Sequence, residues 1–196
     1  MSEEKMTGVI LAGGLGRRMG GTDKGLQVLR GQPMVHWVIE RLGPQVDELL
    51  INANQNGERY AAFGYRVVPD QIPDFAGPLA GLHAALSAAT HPLVATAPCD
   101  SPFLPDDLIL RLFSALTATN ADLAVARTFD QPHPVFCLCR RSVLPHLTAF
   151  LEGGGRKIDR WYSTLNIVEV PFDDEAEAFE NINTRDELAR FETPET

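Results

Sequence analysis

The chain has 196 residues, 44% hydrophobic and 22% charged, the proportions of an ordinary globular domain large enough to bury a full core. Its 17 basic and 26 acidic residues give a formal charge of −9, which argues against a nucleic-acid partner that needs a broad basic face. No apolar run approaches the roughly 20 residues of a membrane span. Met1 to Met6 lack the basic start and apolar middle of a secretory signal, so the expectation is a cytoplasmic protein with no membrane partner. Cys99, Cys137 and Cys139 form no Cys-x-x-Cys pair. The last two share a face of an apparent strand and read as small buried side chains, with a metal site as the lesser alternative.

A strand over about Thr7–Leu11 opens the pattern and runs into a glycine-rich stretch. A helix is predicted over Pro33–Leu42, its proline suiting a first turn. Glu48–Asn52 and Tyr65–Val68 read as strands, Leu79–Ala89 as an alanine-rich helix, Leu93–Ala97 as a fourth strand and Pro105–Leu116 as a helix. Strands alternating with helices imply a parallel sheet covered on both faces. Later the pattern loosens. Leu123–Arg127 and Pro134–Arg140 read as strands joined through Gln131-Pro132-His133, and Ser142–Leu151 as a helix stopped by Gly153-Gly154-Gly155. Asn166–Pro171 adds one more strand, and Thr184 caps a last helix through Phe191. The class is α/β: a three-layer, Rossmann-like arrangement around a mostly parallel sheet, with mixed strands at one edge. No repeat or long linker divides it, so 1–196 is read as one domain.

The stretch Leu11–Leu26 holds six glycines, two arginines, one lysine and one aspartate. It fails two well-known phosphate loops on spacing. Lys24 is followed by Gly25, not by the Ser or Thr of a P-loop, and Met19 occupies the third glycine slot of the dinucleotide fingerprint. The physics behind both still applies: glycines bring backbone N–H groups close to phosphate oxygens, and Arg18 and Lys24 add charge-assisted hydrogen bonds. A surface loop with incidental charges is the plain alternative.

Asp100 and Asp70 each lie just beyond a predicted strand. In a parallel sheet both emerge on the rim that carries the glycine loop, where one or two carboxylates suit Mg²⁺ together with phosphate oxygens. Strand-end aspartates equally serve as turn residues, and Asp70 precedes Pro73. Asn52 ends a strand with an amide able to donate and accept, as a base edge or ribose needs, or it is an ordinary turn residue. Asn181 and Asn183 alternate, so they share one face, or they simply approach the Thr184 cap. His133, between two prolines, is either a substrate contact or a strand entry. Arg156 and Lys157 follow a triple glycine and either reach a phosphate or, as the plainer reading, form an exposed basic pair, and Asp173–Glu177 reads as solvated surface.

The run from Leu11 to Lys24 resembles the signature loop of nucleotidyltransferases that attach a nucleoside monophosphate to a phosphorylated acceptor. With Ile51-Asn-Ala-Asn54, Asp70, Gly77-Pro-Leu-Ala-Gly81, Pro98 to Pro105, His133-Pro134 and Asn181-Ile-Asn-Thr184, the chain resembles the molybdenum cofactor guanylyltransferases over nearly its whole length. It departs at Gly16, where relatives often carry a bulkier or polar residue, and at Arg185, where proline is common. The resemblance implies GMP transfer from GTP to the terminal phosphate of molybdenum-bound molybdopterin, with pyrophosphate released.

It also implies nucleotide contacts at Leu11, Ala12, Gly13, Lys24, Asn52, Asp70 and Asp100, with Mg²⁺ on Asp100. Arg18, Lys24 and Asp100 would be catalytic, and Asn181 and Asn183 would meet the pterin acceptor. Residues 7–105 would bind nucleotide and 106–192 the acceptor. The expected partners are GTP and the molybdenum-bound pterin, with transient contacts to cofactor-delivery or molybdoenzyme chaperone proteins and a monomeric state. The rival readings are a cytidylyltransferase on the same pterin, a sugar-phosphate nucleotidyltransferase, and a GTP-sensing protein without turnover.

Overall fold

The computed structural model describes residues 4–13, 23–72 and 77–192. Its centre is a seven-stranded sheet in the order β5-β4-β1-β6-β8-β7-β9. The strands are β1 (Met6–Leu11), β4 (Glu48–Asn52), β5 (Arg66–Val68), β6 (Leu93–Pro98), β7 (Leu123–Thr128), β8 (Gln131–Arg140) and β9 (Ile167–Pro171). β8 pairs antiparallel with both its neighbours, and the other pairings are parallel. The sheet is mostly parallel, as the alternation of patterns predicts, but its one reversed strand, β8, lies inside the sheet and not at an edge, since β7 and β9 continue beyond it.

Strand side chains alternate between two apolar layers, as a pleated sheet requires. Ile10, Ile51, Ala95, Ala97, Phe136 and Leu138 face α1 (Met34–Leu42) and α4 (Leu108–Thr119). Val9, Leu50, Val94, Cys137 and Cys139 face α3 (Pro78–Ala88), α5 (Leu144–Glu152) and α6 (Ile158–Tyr162). Both strand cysteines are buried, as their spacing suggests. A third cluster, Leu29, Met34 and Ile182, stands off the sheet with Trp37, Phe103, Leu188 and Phe191 around it. No helix among the described residues is long and apolar enough to cross a membrane.

Several elements differ from expectation for local reasons. A short hairpin, β2 (Val28–Leu29) and β3 (Gln32–Pro33), precedes α1 and turns through Arg30 and Gly31, whose φ values of +50° and +80° suit a tight hairpin turn. α2 (Gly57–Ala61) also goes unforeseen, at five residues too short to carry a period. α4 begins at Leu108, not Pro105, because the Leu108 N–H bonds the Pro105 carbonyl in a preceding turn. Gln131-Pro132-His133 is not a connection but the start of β8, and the chain reverses at Phe129-Asp130 instead. Pro132 is tolerated there because β6 pairs with β8 only from Cys137 onward, so no second neighbour needs its missing N–H.

The acidic run is not merely solvated. Arg111 donates to both Asp174 oxygens, at 3.0 and 2.9 Å, and lies over the Phe172 ring. Asp173 accepts the Phe129 N–H. The last helix, α7 (Arg185–Glu192), opens with the expected cap: Thr184 Oγ1 accepts the Glu187 N–H at 3.1 Å, and Glu187 reaches back to the Thr184 N–H at 3.0 Å.

α4 separates its burial cleanly, with Leu112 inaccessible and Leu110 67% exposed. Leu112→Ala is expected to lower unfolding free energy by about 2–5 kcal/mol. Leu110→Ala should stay within about 0.5 kcal/mol of the parent. Urea denaturation of both variants checks the pair.

Candidate active site

The register of the parallel strands brings distant residues to one rim. Leu11 is level with Asn52 on one side and Pro98 on the other, and Asn52 is level with Val68. Two residues beyond these four lie Gly13, Asn54, Asp100 and Asp70. Cross-strand bonding continues one step past the sheet: Ala12 N–H to Asn52 O at 2.8 Å, Cys99 N–H to Leu11 O at 3.1 Å, and Ala53 N–H to Val68 O at 3.1 Å. The rim is therefore held by backbone before any side chain acts.

On the β4–β5 side, polar groups tie the rim together. Asn52, almost wholly buried, donates its amide to Val68 O at 3.1 Å and Asp70 Oδ1 at 2.9 Å. Asn54 donates to Asp70 Oδ2 at 2.9 Å and accepts the Asp70 N–H at 2.8 Å. It also donates to the Gly13 carbonyl at 3.3 Å. Asp70 is thus gripped at both oxygens, and its orientation is fixed. Gly81, in the first turns of α3, lets that helix press against Asn52: a Cβ there would stand 2.8 Å from Asn52 Oδ1 and 3.0 Å from Leu11 Cδ2.

On the other side, the Lys24 ammonium donates to Asp100 Oδ2 at 3.2 Å and Asn183 Oδ1 at 2.6 Å. The ion pair is largely shielded, with 24% and 13% of the two side chains exposed. Segment 181–183 is itself laced to the rim. The Ile182 N–H bonds Asp100 O at 2.8 Å, and Ser101 Oγ donates to Asn181 Oδ1 at 2.5 Å. Both asparagines therefore point at the β6 exit, and each already has a partner there. Glu187 accepts the Asn183 N–H at 2.6 Å, and those backbone donors hold its carboxyl below the usual range.

A cleft of about 430 Å³ opens beside Asn183 and Asn181, walled by Gln131, His133, Phe179 and Arg190. His133 stacks on Phe179 with ring centroids 4.9 Å apart, and its Nε2 lies 2.7 Å from Thr128 Oγ1. Burial pushes its pKa below the ordinary value, so near neutrality the ring is uncharged. Cys99, beside Asp100, is no thiolate: burial and then the Asp100 charge push its pKa up.

Of the residues expected in the site, Lys24, Asp100 and Asn183 meet in one contact, with Asn181 tied in through Ser101. Leu11, Ala12, Gly13, Asn52 and Asp70 share the rim. Arg18 lies outside the described residues. Arg156 sits elsewhere, donating to the Leu151 carbonyl at 3.2 Å at the end of α5. Asn54 and Ser101 are bound into the site without having been singled out. Asn54 follows Asn52 at the i+2 spacing that shares a face, which is a readable signal. Ser101 carries none.

The family pattern described as the MobA-like NTP transferase domain matches residues 8–166. The chain is 54% identical to the molybdenum cofactor guanylyltransferase of Cupriavidus necator, over 98% of this chain and 99% of that protein. It is 53% identical to the molybdenum cofactor guanylyltransferase of Cupriavidus metallidurans, over 98% and 97%. The crystal structure of molybdopterin-guanine dinucleotide biosynthesis protein A from Archaeoglobus fulgidus superposes with a TM-score of 0.81 at 28% identity, covering 95% of this chain and 97% of that one.

Two outcomes test this geometry. Gly81→Ala should cost about 1–3 kcal/mol through overpacking against Asn52, read as a loss of thermal stability. Glu187 has a depressed folded pKa, so its stabilisation is complete above the ordinary glutamate value of about 4.3 and is lost as pH falls through the lower folded value. The melting-temperature gap between the parent and Glu187→Gln should therefore be widest near neutrality and close in acid.

Proposed function

The chain belongs to the MobA-like NTP transferase family, and on that premise we propose that it transfers GMP from GTP to the terminal phosphate of molybdenum-bound molybdopterin, releasing pyrophosphate. The observation that carries the reading is the meeting of Lys24, Asp100 and Asn183: a cation from the phosphate-loop region, a strand-end carboxylate, and an amide beside a separate cleft.

The chemistry asks little of a nucleophile. A phosphate monoester has a second pKa near ~6, so the acceptor reaches the site already mostly dianionic. No general base is required, which agrees with a protonated Cys99 thiol and with a His133 ring engaged by Thr128 and Phe179. The obstacle is the approach of one anion to another. Lys24 offsets that charge, and Arg18 adds a second cation; both stabilise the charge that moves onto pyrophosphate. We assign Leu11, Ala12, Gly13, Asn52 and Asp70 to the nucleotide, with Asp70 oriented by Asn52 and Asn54.

Asp100 is the residue that would hold Mg²⁺. Among the described residues no group of three or more His, Cys, Asp or Glu side chains could hold a metal ion. A single rim carboxylate fits an ion whose other ligands are phosphate oxygens and water. Bound there, the ion would neutralise triphosphate charge. Asn181, Asn183 and the adjoining cleft take the acceptor. This divides the chain into a nucleotide part over 7–105 and an acceptor part over 106–192, in a monomer acting in the cytoplasm. Contacts with cofactor-delivery or molybdoenzyme chaperone proteins would be brief.

Lys24→Ala and Asp100→Ala are each expected to lower turnover by about 10²–10³ while changing thermal stability little. Pyrophosphate release is measured with Mg²⁺ and molybdenum-bound molybdopterin, offering each nucleoside triphosphate in turn. Faster release with CTP than with GTP would reassign the donor. Nucleotide binding without release would make the protein a sensor.

A further inference from the structure

The Lys24 ammonium has its partners, but something must also aim the backbone that carries it. Asp23, the residue before it, is gripped at both carboxylate oxygens by one short stretch around α2. Tyr60 donates its hydroxyl to Asp23 Oδ1 at 2.5 Å, and Asn56 donates its side-chain amide to Oδ2 at 3.0 Å. Tyr60 is completely buried, and burial pushes its pKa far up, so the hydroxyl stays a donor. Asn56 sits just ahead of α2 at φ +53°, a left-handed conformation that asparagine tolerates better than most residues.

The residue after Lys24 is fixed from the same direction. A Cβ at Gly25 would stand 2.6 Å from the Tyr60 hydroxyl oxygen and 3.2 Å from both Cys99 Cβ and Sγ. Glycine is what this approach permits. The Asp23 carbonyl, in turn, accepts the Leu26 N–H at 3.3 Å, closing a short turn under Lys24. One tyrosine thus bonds the residue before Lys24 and packs closely against the residue after it.

We propose that Tyr60 and Asp23 are positioning residues for Lys24: the Tyr60 hydroxyl, through Asp23, sets where the ammonium stands between Asp100 and Asn183. The Tyr60 hydroxyl and both Asp23 oxygens are already engaged with one another and with Asn56, so both residues act through Lys24. A lysine side chain has much rotamer freedom to lose, so a backbone fixed on both sides narrows the places its charge can occupy. The catalytic consequence rests on the guanylyl-transfer reading above, but the positioning itself does not.

Two measurements separate them. The first is a double-mutant cycle on pyrophosphate release from GTP at saturating acceptor. Tyr60→Phe alone should lower kcat roughly 10-fold or more, because misplacement by about an ångström carries such a cost. In the Lys24→Ala background the same substitution should change kcat by less than about 2-fold, since the group it aims is gone. An equal loss in both backgrounds overturns the proposal and leaves Tyr60 a packing residue.

The second needs no turnover. Brief treatment with an amine-reactive ester, followed by peptide mass spectrometry, reads the acylation rate of Lys24 against Lys5 and Lys157. Tyr60→Phe should speed acylation at Lys24 several-fold and leave the other two unchanged, and no change at Lys24 overturns the proposal. An inactive parent protein whose Lys24 still responds in this way would sink the functional reading and leave the clamp standing. If Tyr60→Phe does not fold, Asp23→Asn carries both measurements. It keeps an oxygen for Tyr60 but sets one amide against the Asn56 amide, and the same outcomes decide.

Discussion

The Lys24 ammonium lies between two oxygens, one from Asp100 at the end of β6 and one from Asn183 near the end of the chain. Those partners are 76 and 159 residues away in sequence, so the contact joins three separate stretches. It is partly shielded from water, where a charge pair attracts more strongly than on an open surface. In a chain carrying −9, it also holds a cation in place at the rim of the sheet. The rest of the architecture can be understood as what brings those three groups together.

Most of the sheet is legible in the sequence because parallel strands buried on both faces leave continuous apolar runs. Glu48–Asn52 is read to the residue, and Leu93–Ala97 to within one. The rim follows from the sheet: once β1, β4 and β6 are parallel and in register, Asn52 and Asp100 have no other place to emerge. What escapes has little local signal. The reversal before β8 uses Phe129 at φ +51°, not the glycine or asparagine that normally marks such a turn. The hairpin before α1 has strands of two residues, below any readable alternation.

That Lys24, Asp100, Asn181 and Asn183 are candidates is legible in the sequence, but how they are wired together is not. Residue type and position relative to a strand suggest Lys24, Asp100 and Asn183 one at a time. Nothing in the sequence says that the asparagine accepts from the lysine, because that depends on how the last segment folds back. The same holds for Asn181, whose oxygen is occupied by Ser101. Asp23 and Tyr60 are harder still, since a tyrosine in a five-residue helix reads as core. Only the buried hydroxyl's partner reveals another task.

How the chain's end is held has its own physical answer. Ile182 sits between the two asparagines and is wholly buried with Leu29 and Met34, residues that closely follow the glycine-rich stretch. Arg30 donates to the Phe191 carbonyl at 2.8 Å and lies over the Phe103 ring, so α7 docks onto the same hairpin. This small cluster contributes no strand to the central sheet. Its apolar contacts instead press segment 181–183 against Asp100 and Ser101, with Glu187 fixing the Asn183 N–H from the α7 side. A helix end, a hairpin and one isoleucine thus set the distance between a lysine and an asparagine. Loosening that cluster would separate Asn181 and Asn183 from Lys24 and Asp100 while leaving the main core intact.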